Sequence, residues 1–402
     1  MNNRYIIAGA GIAGLSAAKA IRETDPSGNI DIFTAENNLP YSRPMLTKTP
    51  FKSFNPSDWT IYQKSWFEET KIRLHINSKL TETDPASQTV FESCSTSYHY
   101  DKLIIACGAE SFVPPIPGAS LEGVFTIRRS EDIFAIKKAC RSSKRAVIIG
   151  GGVIGLEAAS ELLRYGQKVT ILESMPYLMA KQIDEEMSDL ICQCLSDIDI
   201  HMGVKIDSIE RVSSCGSLLT VNLSDNRSFP CDLIIISCGV RAQASFAPEF
   251  IKSQGAVAID EYCRTSDENI YAAGDCAKVT GMNYALWSSA MARGKAAGLN
   301  AAADLCGIKR LPVADFDTSL VINSPNLSLF ALGDMGKDPD KEYEIKRFSS
   351  DESDNLFFVN PTVGKSFTKI YFSSGKPTGA AILGNLSNME NLKAMIQSEG
   401  YK

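Results

Sequence analysis

The chain has 402 residues, 44% hydrophobic and 22% charged, a balance that suits a globular protein with room for two or three cores. The formal net charge of −6 gives no support to nucleic-acid binding, and no apolar run approaches the roughly 18 residues of a membrane span. The eleven cysteines are scattered with no C-x-x-C pair, and the three histidines, His75, His99 and His201, lie outside metal-ligand spacing, so reduced packing thiols, a cytoplasmic setting and no metal site are expected.

Residues 4–34 read as strand, turn, helix and strand. The apolar run Tyr5-Ile6-Ile7-Ala8 leads into Gly9-Ala10-Gly11-Ile12-Ala13-Gly14, a G-x-G-x-x-G turn opening a helix, and Ile30–Thr34 is the second strand. The short apolar N-terminus is broken by glycines and reads as a buried first strand, not a signal peptide. A turn-rich loop, Leu39 to Lys48, follows. Leu103-Ile104-Ile105-Ala106-Cys107-Gly108 is an apolar run stopped by glycine, as expected of a parallel strand buried on both faces. Pro114, Pro115 and Pro117 then mark a crossover out of the first domain.

From Arg145 the pattern repeats. Ala146-Val147-Ile148-Ile149 runs into Gly150-Gly151-Gly152-Val153-Ile154-Gly155, then a helix over Leu156–Tyr165 and a strand over Lys168–Glu173. Leu233–Gly239 repeats the run-then-glycine device. The unit reads as an internal duplication inserted within the first domain, to which the chain returns with Asn269–Asp275 and a helix from Trp287 to Leu305. After Pro312 the alternating segments Glu344–Phe348 and Phe367–Phe372 suggest antiparallel strands, Gly375–Gly379 a turn and Asn388–Glu399 a helix. The expected domains are therefore 1–116 with 245–311, then 117–244, then a small α+β domain over 312–402.

In each turn glycine lets the backbone approach a pyrophosphate, and the following helix offers unpaired N–H groups to the phosphates. An isolated match could be a packing glycine; two, each followed by an acid, imply two dinucleotide sites and electron relay between them. Glu36 lies about 22 residues beyond Gly14, where a carboxylate can accept from a ribose, and Glu173 ends the matching strand of the second unit. Glu173 would repel a 2′-phosphate, and Ser174 and Met175 supply no offsetting cation, so NADH is expected over NADPH.

Both turns, Thr265-Ser266 with Ile270–Asp275, and Tyr41-Ser42-Arg43-Pro44-Met45-Leu46-Thr47-Lys48 resemble the FAD-dependent pyridine nucleotide reductases, over roughly residues 4–305. Thr34-Ala35-Glu36 with the Tyr41–Leu46 loop looks most like NADH:rubredoxin reductases, and 312–402 resembles, more weakly, their small C-terminal domain and the flavin module of nitrite reductases. The resemblance implies an α/β fold of two Rossmann-like, glutathione-reductase-like domains plus the C-terminal α+β domain. It implies that Gly9, Gly11, Ile12, Ala13, Gly14 and Glu36 hold the ADP half of FAD. Arg43, Lys48 and Arg128 would reach the FAD phosphates or ring, Leu80 the adenine, Asp275 the ribityl chain, and Leu286 and Trp287 the pyrimidine end. Gly150, Gly151, Gly152, Val153, Ile154, Gly155, Glu173 and Gly239 would hold NADH. Trp287 also reads as a half-buried core residue.

The resemblance further sets Glu157 against the ammonium of Lys48 beside the flavin, where a fixed cation would stabilise charge on the reduced ring and the carboxylate would offset the cost of burying it. The plainer reading makes Lys48 a solvated loop lysine and Glu157 a carboxylate favoured by the helix dipole. The disulfide reductases of this superfamily carry a cysteine pair after the first turn, yet residues 37–66 contain no cysteine and 312–402 no histidine. Electrons would then leave the flavin directly. The leading expectation is transfer from NADH through FAD to a small, rubredoxin-like carrier protein, by a monomer or homodimer that binds no nucleic acid or membrane. The alternatives are an NADH oxidase, the flavin subunit of a larger, nitrite-type reductase, or a redox-sensing flavoprotein with little turnover.

Overall fold

The computed structural model describes residues 2–93, 96–212, 218–279, 285–349 and 366–398. The chain divides into two compact units: Met1–Met45 with Asn55–Phe112 and Val240–Thr318, and Leu46–Phe54 with Val113–Gly239 and Ser319–Lys402. Residues beyond Ser319, expected as a separate third domain, are thus grouped with the second glycine-rich turn.

In the first unit Arg4–Ala8 lies at the centre of a five-stranded sheet in the order Ile270–Ala272, Lys102–Ile105, Arg4–Ala8, Asn29–Phe33, Ile72–His75. All its pairings are parallel. Tyr5 to Ala8 and Leu103 to Ile105 are buried, as strands covered on both faces must be. Helix Ile12–Thr24 packs against helix Trp287–Cys306 through two glycines: a Cβ on Gly294 or Gly298 would lie 2.2 Å from the carbonyl oxygen of Ala13 or Ala17. The segments leading out of and back into this unit, Ala109–Ser111 and Val240–Ala242, pair as a short antiparallel ribbon.

The second unit repeats the sheet. Its order is Asp199–His201, Lys168–Leu172, Arg145–Ile149, Leu233–Ile236, Val124–Phe125, again parallel throughout. Helix Val153–Arg164 begins three residues before the expected Leu156, because the glycine turn passes straight into it with Gly152 as N-cap. The same unit holds a five-stranded antiparallel sheet, Leu320–Ser324, Leu327–Gly333, Lys376–Leu383, Phe367–Ser373, Glu344–Ser349, with helix Met389–Ser398 set on it by Leu392 and Ile396. Glu399, the expected end of that helix, lies outside the described residues. The turn expected over Gly375–Gly379 is a correction: it sits at Ser374–Gly375, both at positive φ, and Pro377 is already in the strand. A register shift between Tyr371 and Phe372 at that point makes room for a residue with no N–H to donate. Among the described residues no helix is long and apolar enough to cross a membrane.

Candidate functional site

The two turns match hydrogen bond for hydrogen bond. Gly9 N donates to Phe33 O and Gly150 N to Leu172 O, both at 2.9 Å; Ala106 N donates to Ala8 O and Ser237 N to Ile149 O, both at 2.8 Å. Each first glycine has positive φ, +112° at Gly9 and +110° at Gly150, and a Cβ there would strike Ala106 O at 2.2 Å or Ser237 O at 2.4 Å. No side chain fits at the third glycines either, since a Cβ would lie 1.9 Å (Gly14) or 2.1 Å (Gly155) from the carbonyl of the first. The middle glycines, Gly11 and Gly152, face open space and cap their helices with no side-chain hydrogen bond. The first-turn amides of Ile12 and Ala13, and of Val153 and Ile154, therefore start helices whose capping side chain is missing, as a phosphate-binding terminus requires. Both cradles fit a dinucleotide.

In the first unit, Gly11, Glu36 and Arg43 line one cleft with Ala10, Thr34 and Tyr41. The Glu36 carboxylate is ion-paired with Arg43 and accepts from the Tyr41 hydroxyl at 2.9 Å. Burial pulls the pKa of Arg43 down, but the charge and hydrogen bond of Glu36, with Tyr41 and Asp275, together raise it. Asn77 N donates to Glu36 O at 3.0 Å, which brings the chain leading to the buried Leu80 beside the same acid. Gly274, at φ +79°, tucks the strand end before Asp275 against the helix start, where a Cβ would sit 3.0 Å from the Ala13 Cβ. Leu286 is the N-cap of helix Trp287–Cys306, and Trp287 is half-buried. Arg128 belongs to the second unit, where its amide donates to Asp132 Oδ2 at 2.7 Å ahead of helix Ser130–Ala139.

In the second unit, Glu173 folds back onto its own turn. Its Oε2 accepts from Gly151 N at 2.6 Å and its Oε1 from Met175 N at 2.7 Å. Gly239, at φ +97°, has open space where a Cβ would stand. Cys107 and Cys238 occupy equivalent places after the crossover strands, donating to Ala8 O at 3.4 Å and Ile149 O at 3.5 Å. Burial pushes both thiols up, Cys238 to about 11, so neither is a thiolate at neutral pH.

Lys48 and Glu157, expected as a direct pair, take different hydrogen-bond partners. Segment Leu46–Phe54 lies on helix Val153–Arg164, with Phe51 N donating to Glu161 Oε2 at 3.3 Å. The one-turn helix Met45–Lys48 turns Thr47 inward and Lys48 outward. The Thr47 hydroxyl therefore donates to Glu157 Oε2, while Lys48 Nζ donates to Val321 O at 3.3 Å. Glu157 is 3% exposed, and its Oε1, like Thr49 Oγ1, has no hydrogen-bond partner among the described residues. Burial pushes the Glu157 carboxyl up, against the pull of the Thr47 hydroxyl and the Lys48 charge. Thr47 and Tyr41, partners of the two acids, were present in the Tyr41–Lys48 loop; only their side-chain directions were hidden.

The family model described as pyridine nucleotide-disulphide oxidoreductase matches residues 3–294. The chain belongs to that family. Members of this family bind FAD and depend on NAD(H), the cofactor pair that the resemblance implied for the two dinucleotide sites. The chain is 29% identical to the nitrite reductase [NAD(P)H] of Bacillus subtilis over 98% of its own length, spanning 47% of that protein. It is 30% identical to a nitric oxide reductase FlRd-NAD(+) reductase of Vibrio vulnificus, over 70% of this chain and 74% of that one. Among solved structures, the NADH:rubredoxin oxidoreductase of Clostridium acetobutylicum matches with a TM-score of 0.75 and 26% identity, covering 99% of this chain and 95% of the other. The family's name includes a disulfide, yet residues 37–66 hold no cysteine and the described cysteines are all free thiols. Among the described residues no cluster of three or more side chains could hold a metal ion.

Proposed function

We propose that this reductase takes a hydride from NADH onto FAD and passes electrons singly to a small carrier protein such as rubredoxin. The observation that carries the reading is a pair of equivalent dinucleotide cradles in a chain without the family's thiol pair. When bound, FAD supplies the conversion between a two-electron donor and one-electron acceptors, so each NADH reduces two carriers. The first cradle, with Glu36, Arg43 and Asp275, is assigned to FAD; the second, with Glu173, to NADH. Lys48 is assigned as the cation that offsets charge on the reduced ring, and Glu157 as the buried acid that tunes it. The likeness to the rubredoxin and FlRd reductases supports this assignment.

A second reading is favoured by one observation. The match to the Bacillus nitrite reductase covers 98% of the chain, past residue 294 where the family model ends, and the chain spans about half of that relative. On this reading the chain is the flavin module of a larger reductase. Anaerobic titration of the FAD-loaded protein with NADH, followed by mixing with oxidised rubredoxin, separates the two. Rapid, salt-sensitive reduction of rubredoxin is expected. Bleaching by NADH with no electrons passed to rubredoxin would favour the module, and equally fast oxygen consumption without a carrier an oxidase.

A further inference from the structure

The C-terminal sheet buries a lysine that the chemistry above does not use. Lys369, in strand Phe367–Ser373, has a side chain only 1% exposed. Its ammonium donates to Asp184 and, at 2.5 Å, to Glu186 Oε2. Tyr371, two residues on and so on the same face, donates its hydroxyl to Asp184 Oδ2 at 2.7 Å. Glu186 is also paired with Arg347 at 3.0 Å. Two carboxylates offset the cost of burying the ammonium, and removing it would leave both short of a partner.

Asp184 has a second role. It is the N-cap of helix Glu185–Cys194, its Oδ1 accepting from Met187 N at 3.0 Å. Burial pushes its carboxyl up, but the hydrogen bonds from Lys369, Tyr371 and the Met187 amide, with the Lys369 charge, together hold it below the ordinary range. It therefore fixes the end of the loop that begins at Glu173.

That loop bears on the second glycine turn. Met179 N donates to Gly151 O at 3.1 Å, and a Cβ on Gly151 would strike Leu178 Cδ2 at 2.4 Å. Met179 has φ +51°, a conformation that only surrounding contacts hold for a residue with a Cβ. Two contacts hold it: within the loop, Ile183 N donates to Met179 O at 3.1 Å just before Asp184, and from the segment after strand Leu327–Gly333, Lys337 Nζ donates to Ala180 O.

We propose that Lys369 is a positioning residue for the pyridine nucleotide: through Asp184 it fixes the loop Met175–Asp184, and through that loop the Gly151 peptide. The inference rests on assigning the second cradle to NADH. Lys369→Met in the FAD-loaded protein tests it. The dissociation constant for NAD+ by fluorescence titration, and KM for NADH with ferricyanide as acceptor, are expected to rise about tenfold, while kcat and flavin content change less than twofold. Hydrogen exchange at the Met179 amide is expected to quicken, and Lys369→Arg to restore most of the affinity. Tyr371→Phe, which removes one hydroxyl, is expected to give a smaller rise in the same constants and serves where Lys369→Met does not fold. Unchanged NAD+ affinity and Met179 exchange in the folded variants would overturn the proposal. So would an equal fall in kcat accompanied by flavin loss, which marks a purely structural role. Wild-type protein that binds no NAD+ would instead sink the NADH assignment, leaving the Met179 exchange to test the anchor alone.

Discussion

Glu157 shows how far one carboxylate can depart from its sequence reading. Its position two residues past Gly155 marks it as a helix-start acid, which the dipole would favour ionised. Burial works the other way and raises its pKa. A carboxyl that holds its proton more tightly when folded contributes most to stability below its unfolded pKa, roughly 4.3, and loses that contribution as pH rises through the folded value. Glu157→Gln, which stays neutral and can still accept from Thr47, should therefore melt higher than wild type at pH 8 by a few degrees, with the gap closing towards pH 5. A gap that widens on acidification, in melting curves recorded at both pH values, would show that Glu157 is stabilised as an anion. The types and spacing of Glu36, Glu173 and Glu157 were legible in the sequence. Their partners were not, because Tyr41, Arg43, Thr47 and Gly151 are chosen by side-chain direction, which depends on how a turn-rich loop closes.

Elements of strong pattern are legible in the sequence to within a residue or so. The helix expected from Trp287 to Leu305 runs Trp287–Cys306, and the strands expected at Glu344–Phe348 and Phe367–Phe372 are each one residue longer. The two ribbons, Leu80–Asp84 with Thr89–Glu92 and Ser97–His99, and Ile206–Arg211 with Leu219–Leu223 and Ser228–Cys231, were missed. They are short, half-exposed and mixed in polarity, so neither period stands out. Gly294 and Gly298 carry no signal of their own inside a helix, yet they set the distance between two helices. Alanine in a helix is favoured over glycine by about 1 kcal/mol. A Cβ 2.2 Å from the Ala13 carbonyl oxygen must nonetheless push backbone away from backbone, at roughly 1–3 kcal/mol. The clash wins, and it falls on the helix that starts at the first cradle. Gly294→Ala should lower stability in urea and leave the purified protein with less flavin per chain. Unchanged flavin content would mean that the two helices separate without disturbing Gly9–Gly14.

The molecule carries one nucleotide-binding design twice, and the copies can be disabled one at a time. A Cβ on Gly152 meets no described atom within 4 Å, and the residue has extended backbone angles, φ −84° and ψ −176°, that any side chain adopts. Gly152→Val should therefore fold and stay yellow, yet no longer bleach with NADH, while dithionite still reduces it. Retained bleaching with unaltered affinity would remove the second cradle from coenzyme binding. The copies differ in where their edge strand comes from. In the second sheet the edge strand Val124–Phe125 precedes the glycine turn, and all five strands are complete by Ile236. In the first, the edge strand Ile270–Ala272 and the helix carrying Gly294 and Gly298 arrive long after the Gly9 turn that they support. On a ribosome adding about 10 residues per second, the four N-terminal strands, complete by Ile105, would wait on the order of twenty seconds for their missing edge. During that interval the later-encoded sheet can close, so the second glycine cradle is complete in the nascent polypeptide before the first.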